Sequence, residues 1–533
     1  MKIPRKKELQ ELQNKYHTDR KIGEAYGVPS RLVTYWRLKK NIGPYKKPKY
    51  SREKITEVWN RFGDDRRAGR ELGISDAGFR RWRMQYVIKQ RPPQIHLEQL
   101  ELDLVDVTRK NRSSRRETFV QKILARKASL KAVDVGQSVV IEPDLVVAVD
   151  NAAPAIDRFY KNSDSRVWDH LRIAIILNHL SLPNVPGLAE AHKKIREFVK
   201  KQGISAFYDI GWGISHQVVI EERLILPGQV ALGTDPHAAA YGCLGAYSLN
   251  IPNSEMADIW YAGKAELVVP RSVKIIIEGN LSNGVSTCDV ILRLNRDVNQ
   301  IAASGKVIEY YGRVVAGLTI PQRFSLTNFA VGAGVRAAVI PCDEITQKYF
   351  RRKTKAKFRP IKADDNAAYD DEIELNISYL TPQVISPRGP DDVRPVEEVS
   401  GKRLDHVVIG GCSSGSLEDL AVAALILRGR RINRRTRLVI IPGSQKTYLK
   451  ALDDGYIRTF IESGCLVLSP SCGSCLSANN VMIADGERAL TTTNGSARCI
   501  ENGGNLEIYV ASPATAAASA LEGAITDPRK YLL

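Results

Sequence analysis

The chain has 533 residues, of which 43% are hydrophobic and 26% charged, the balance of a soluble globular protein with a full core. Its length predicts about three or four domains, and no apolar run reaches the roughly 20 residues that span a bilayer. The start, MKIPRKKELQ, carries charge but no apolar signal-peptide segment, so the expected location is cytoplasmic, with no membrane partner. Eight cysteines are too few for a disulfide scaffold. In a reducing compartment the one C-x-x-C pair, Cys472-Gly-Ser-Cys475, reads as metal or redox chemistry.

The formal net charge of +19 is concentrated at one end. Residues 1–94 hold 25 Lys/Arg against 10 Asp/Glu, a net of +15, and the other 439 residues contribute +4. Within this basic stretch His17–Arg37 aligns with Gly63–Arg83 at an offset of 46 residues. Asp19 matches Asp65, Gly23 matches Gly69, Gly27 matches Gly73, Trp36 matches Trp82 and Arg37 matches Arg83. Each unit reads as a helix, a glycine turn, then Ser30 or Asp76 near the N-cap of a second amphipathic helix. That pattern predicts an all-α tandem helix-turn-helix over 1–91, with units at about 8–40 and 51–88. DNA is the expected partner, its phosphates reached by Arg31, Arg37, Arg80, Arg81 and Arg83. A solvated helical face, or a docking arm for another protein, is the alternative. A Pro-containing stretch and the charged run TRKNRSSRRE mark 92–117 as a linker.

From Thr118 the pattern changes to short Val/Ile/Leu-rich runs separated by helical segments. VVIEPDLVVAV, LRIAIIL, SVKIIIEG, HVVIGG, TRLVIIPG and GCLVLSP are each bounded by Gly, Pro or Asp, as buried parallel strands are. LEDLAVAALILRGRR and QKTYLKALDDGYIRTFIESG are helices between them. The body, 118–533, is α/β with several sheets.

Two cysteine sites stand out in it. His406-Val-Val-Ile-Gly-Gly-Cys412 runs a strand into glycines and a cysteine before a helix N-terminus, where backbone N–H groups favour a thiolate. Cys472 and Cys475 follow a second strand. Three soft sulfur ligands at strand ends suit an iron–sulfur cluster, although one C-x-x-C and a distant cysteine read equally well as a redox pair.

The stretch from Thr118 to Leu533 resembles the large subunits of 3-isopropylmalate dehydratase, in the aconitase superfamily. The matching text runs in family order from TFVQKILARKASL through FYDIGWGISHQVVIEERLILPGQVALGTDPHAAAYGCLGA, IGGCSSGSLEDL, VIIPGSQ and PSCGSCL to YVASPATAAASALEGAITDPRKYL. The resemblance implies an aconitase-like body of three α/β/α subdomains around a [4Fe-4S] cluster. Its ligands would be Cys412, Cys472 and Cys475, with the remaining iron free to act on the substrate hydroxyl as a Lewis acid. It implies active-site histidines at His179, His216 and His237, the last preceded by Asp235. Glu309 and Asn328 match further site positions, and Arg498 and Ser512 are the remaining substrate-binding candidates. The chain ends at ITDPRKYLL, where the family's separate large subunits end, which implies a small swivelling-domain subunit as partner.

Departures from the family pattern bear on the substrate. Asn178 stands where relatives have Asp and cannot ionise to tune His179. Asp235-Pro-His237-Ala has lost two hydroxyls of the family's Asp-Ser-His-Thr, and Cys412-Ser-Ser replaces Cys-Thr-Asn. Thr493–Cys499 lacks at least one arginine of the family's carboxylate-gripping run. The substrate is therefore expected not to be citrate, and 3-isopropylmalate itself is in question. The expected function is a hydro-lyase or isomerase acting on a hydroxy acid, with His179, His237 and Asp235 assisting loss of water. The alternative is a DNA-binding regulator whose body senses iron, redox state or a metabolite.

Overall fold

Thr18, Asp19 and the apolar positions behind them are what start the first repeat. The Thr18 hydroxyl accepts the Lys21 N–H, and α2 (Asp19–Tyr26) follows, between α1 (Lys6–Tyr16) and α3 (Ser30–Lys39). The computed structural model describes residues 4, 6–40, 42, 50–62, 65–75, 79–80, 83, 116–162, 166–178, 187–351, 358–472, 484, 486–493 and 507–532. They fall into two units, Met1–Ser113 and Ser114–Leu533. Among the described residues, no helix is long and apolar enough to cross a membrane. Most of the 92–117 stretch expected as linker, together with Arg81, His179, Cys475 and Arg498, lies outside the described residues.

In the first unit Leu9, Ile22, Val33, Trp36 and Ile42 form one small core. Ile55, Val58, Trp59, Ala68 and Phe79 form the equivalent core around α4 (Arg52–Phe62) and α5 (Asp65–Glu71). The repeated glycines have two causes. Gly27 and Gly73 turn the chain at φ +64° and +66°, while a Cβ on Gly23 or Gly69 would lie 2.6 or 2.7 Å from the Val28 or Ile74 carbonyl oxygen.

The repeated Asp/Arg matches correct the expectation of phosphate contacts. Arg37 is buried and forks onto Asp19, with Nε–Oδ1 and Nη2–Oδ2 both at 2.8 Å; its Nη1 donates to the Ile42 carbonyl at 2.9 Å. Arg83 is buried too, binds Asp65 at 2.7 and 2.9 Å, and lies over the Trp59 ring. Each guanidinium is tied to the aspartate 18 residues before it and withdrawn from solvent, so neither is a surface cation. Arg31 and Arg80 are exposed, the latter also 3.2 Å from Asp65.

In the second unit β1 (Ser138–Ile141) pairs antiparallel with β7 (Ala265–Val268). The run VVIEPDLVVAV is thus two strands in different sheets, not one, because Pro143 has no N–H to continue a ladder. Its second half is β2 (Leu145–Ala148), central in an all-parallel sheet with β3 (Ile173–Ile176), β4 (Ala206–Tyr208), β5 (Val230–Gly233) and β6 (Tyr247–Asn250), in the order β4-β3-β2-β5-β6. No residue of β2 or β3 is exposed, as a strand covered on both faces requires.

A second parallel sheet holds β8 (Ser272–Glu278), β9 (Val307–Tyr311), β10 (Ala337–Val339) and β11 (Asp371–Asn376), ordered β10-β9-β8-β11. The third has seven strands: β12 (Gln383–Ile385), β13 (Val393–Pro395), β14 (His406–Gly410), β15 (Arg437–Ile441), β16 (Leu466–Val467), β17 (Arg488–Thr491) and β18 (Glu507–Ala511). Their order is β13-β12-β18-β17-β14-β15-β16, parallel except at β12. Reciprocal capping boxes at Thr118/Gln121, Ser286/Asp289, Thr319/Gln322 and Ser416/Asp419 set where four helices begin. The expected α/β body with several sheets is what forms.

Candidate active site

In a parallel α/β sheet, ligand crevices lie outside the carboxyl ends of the strands. Asp150 follows β2, Asn178 follows β3, and Asp235 and His237 follow β5. His216 comes from the helix Ser215–Glu221. Asp235 has no solvent exposure, and its oxygens accept from the His237 backbone N–H (2.8 Å), the Ser215 hydroxyl and Asn178 Nδ2 (3.4 Å). His237 Nδ1 lies 3.5 Å and His216 Nδ1 3.8 Å from the same carboxylate. One carboxylate therefore faces the Nδ1 side of both rings, where its charge can orient them for proton exchange.

The two histidines differ in environment. His216 is buried and stacked on Phe324, and burial pulls its pKa below the ordinary value against the opposing pull of Asp235, so it stays neutral. The His237 side chain keeps 16% exposure and is the accessible member. The donor atoms of His216, Asp235 and His237 lie within 4.8 Å of one another, a spacing that would also suit a cation. The donors already on Asp235 favour the proton-handling role.

The cysteine loops reach the same place from the third sheet. After β14 the chain turns at Gly410 (φ +111°) and Gly411 (φ +75°) before Cys412. A Cβ on Gly410 would lie 2.0 Å from the Ile441 carbonyl oxygen, so only glycine lets β14 approach β15 this closely while redirecting the chain. Cys412 is buried, and Asn328 Nδ2 donates to its carbonyl at 2.8 Å. The Cys472 N–H donates to the Asn178 carbonyl at 3.1 Å, and Gly411 packs against the Cys472 backbone. Both are free cysteines. Soft thiol donors on adjoining loops fit an iron–sulfur group.

Two expected substrate contacts are corrected. Glu309 has no exposure: its carboxylate accepts from the Phe119 and Val120 backbone N–H groups (both 3.2 Å), Ser272 Oγ (3.1 Å), Tyr311 Oη (3.0 Å) and Tyr369 Oη (2.9 Å). It ties β9 to the start of the helix Phe119–Lys127. Ser512 is likewise buried and caps the helix Pro513–Glu522 through the Thr515 N–H. Asn328 is fully buried as well, and its amide holds the Cys412 loop through the bond given above.

Sequence reasoning missed Ser215 and the pair Asp150–His192, in which His192 Nε2 lies 3.3 Å from Asp150 Oδ1. Ser215 adjoins a named histidine, but a hydroxyl there carries no signal until Asp235 is seen beside it. It also treated Asn178 only as a loss. In the structure its N–H, carbonyl and side-chain amide join Asp150, Cys472 and Asp235.

Comparison with known proteins agrees in one direction. Residues 183–523 match the model of the aconitase family (aconitate hydratase). The chain is 38% identical over 417 residues to 3-isopropylmalate dehydratase large subunit 1 of Methanopyrus kandleri, covering 78% of this chain and 100% of that one. It is 37% identical to the 3-isopropylmalate dehydratase large subunit of Clostridium botulinum, over 77% of this chain and 99% of that one. Among solved structures it is similar to the holo form of aconitase X from Thermococcus kodakaraensis, at a TM-score of 0.43 and 13% identity over 73% of this chain and 93% of that one.

Proposed function

Because the chain belongs to the aconitase family of hydro-lyases, we propose that it is the large subunit of an iron–sulfur dehydratase acting on a small hydroxy acid. One observation carries the reading: Asp235 with its two histidines and the Cys472 loop meet at Asn178, which hydrogen-bonds to both, and Gly411 before Cys412 lies against the Cys472 backbone. Cys412, Cys472 and Cys475 would hold a [4Fe-4S] cluster, whose chemistry when bound is to polarise a substrate hydroxyl as a Lewis acid.

The chain's own residues supply the rest. Asp235 orients both imidazoles, and His237, the accessible one, exchanges a proton at Nε2, with His179 as a further candidate. His216 remains neutral against Phe324 and walls the carboxylate from water. With the family's arginine run altered at Thr493–Cys499, substrate carboxylates need donors from elsewhere, and a small subunit is the proposed source.

Anaerobic reconstitution of the full chain with iron and sulfide should give a brown chromophore that Cys412→Ser and Cys472→Ser diminish. With a small subunit added, a panel of 2-hydroxy diacids should yield an absorbing enoate. A wild-type chain that stays colourless sinks this reading. The net charge of +15 on residues 1–94 favours a second role for the first unit, nucleic-acid binding through the exposed Arg31 and Arg80. Affinity that does not fall with added salt would exclude it.

A further inference from the structure

We infer that Asp150, backed by His192, is a positioning residue that holds both halves of the site through Asn178; for the cluster half, this rests on the reading above. Asp150 begins the one-turn segment Asp150–Ala152 directly after β2 and is 8% exposed. Its Oδ2 accepts the Asn178 backbone N–H at 3.0 Å, and its Oδ1 lies 3.3 Å from Nε2 of His192, which is buried on the helix Leu188–Gln202.

Among the described residues the route runs through Asn178. The carbonyl of Asn178 accepts the Cys472 N–H at 3.1 Å, and its side-chain amide donates to Asp235 Oδ2 at 3.4 Å. Asn178 lies two residues beyond the end of β3, where the sheet ladder no longer holds it. The tether from the Asp150 carboxylate is effective because it is withdrawn from water. A buried carboxylate facing a buried imidazole costs desolvation that apolar packing would avoid. The residue anchored here, Asn178, bonds the Cys472 backbone on one side and the Asp235 carboxylate on the other.

The test uses the full-length protein with Asp150→Ala, which removes the acceptor, and Asp150→Asn, whose amide oxygen still accepts the Asn178 N–H. Val298→Ala, in the buried face of the helix Thr287–Ala303, serves as a control for general loss of packing. Amide exchange is read at Asn178 and Cys472 in the apo-protein, and chelator-driven bleaching in the iron-loaded protein. Asp150→Ala should speed exchange at both amides about ten- to a hundredfold and accelerate bleaching relative to Val298→Ala, with Asp150→Asn restoring most of the protection. If Asp150→Ala exchanges at Cys472 no faster than Val298→Ala, the inference is overturned. A wild-type chain that takes up no iron overturns the cluster reading instead, while the amide measurement still decides whether Asp150 positions Asn178.

Discussion

Replacing Arg37 by alanine should unfold the first helical repeat far more than loss of a surface cation would. Arg37 makes three contacts below 3.2 Å with the Asp19 carboxylate and one with the Ile42 carbonyl. After truncation Asp19 keeps only the Thr34 hydroxyl at 2.7 Å among the side-chain donors described. Removing one partner of a buried pair costs about 3–5 kcal/mol. The Asp19 side chain retains 19% exposure, so water recovers part of this and about 2–3 kcal/mol is expected. That corresponds to a roughly 30- to 150-fold loss of amide protection across α2 and α3, read by hydrogen exchange on the full-length protein. The hydrogen bonds from Arg37 hold the Asp19 pKa below its ordinary value. The stability this provides is present above the unfolded pKa and lost as pH falls through the folded one. Wild-type protection should therefore drop on acidification, and Arg37→Ala should lose that acid step. The double variant Asp19→Leu/Arg37→Met, with no charge left to strand, should recover most of the protection. If Arg37→Ala keeps full protection but weakens nucleic-acid binding, Arg37 is a surface cation after all and the reasoning fails.

Glu309→Gln puts an NH₂ group among donors that need an acceptor and should cost the body about 2–4 kcal/mol, seen as a lowered Tm. Gly410→Ala should push β14 off β15 and abolish iron uptake, because its Cβ would sit 2.0 Å from a carbonyl oxygen; retained uptake with an unchanged Tm would show that the turn relaxes. Asp289 and Asp419, buried in capping boxes, are pushed up to about 6 by desolvation. Since the folded state holds protons that the unfolded chain has released, their contribution is present at low pH and is lost as pH rises through about 6. Asp289→Asn and Asp419→Asn should each flatten that decline in a Tm-versus-pH series, and a slope unchanged in both would refute the assignment.

Local pattern carried much of the architecture. The Val/Ile runs announced buried parallel strands because a strand covered on both faces must be apolar throughout. The sites were legible only where a motif bears chemistry within a few residues, as at Cys412, Cys472 and the Asp235–His237 pair. Pro143 shows the limit: the apolar run around it looked continuous, and only hydrogen-bond pairing assigned its halves to different sheets.

The 46-residue repeat by itself determined that Asp19 and Arg37 recur as Asp65 and Arg83. Periodicity could not say whether those arginines face water or a carboxylate, since either use gives the same spacing, and burial decided for the carboxylate. Glu309 likewise matched a family position, yet its five donors come from residues up to 190 positions away, and no local window contains them. Asn178 is the sharpest case. Read along the chain it is a carboxylate lost; in three dimensions its amide meets Asp235, where a second buried carboxylate would meet repulsion, and its backbone reaches Cys472. The sequence alone determined which groups this protein owns, and the tertiary structure determined which of them are desolvated beside one another. Charge and hydrogen-bond energies depend on that second fact.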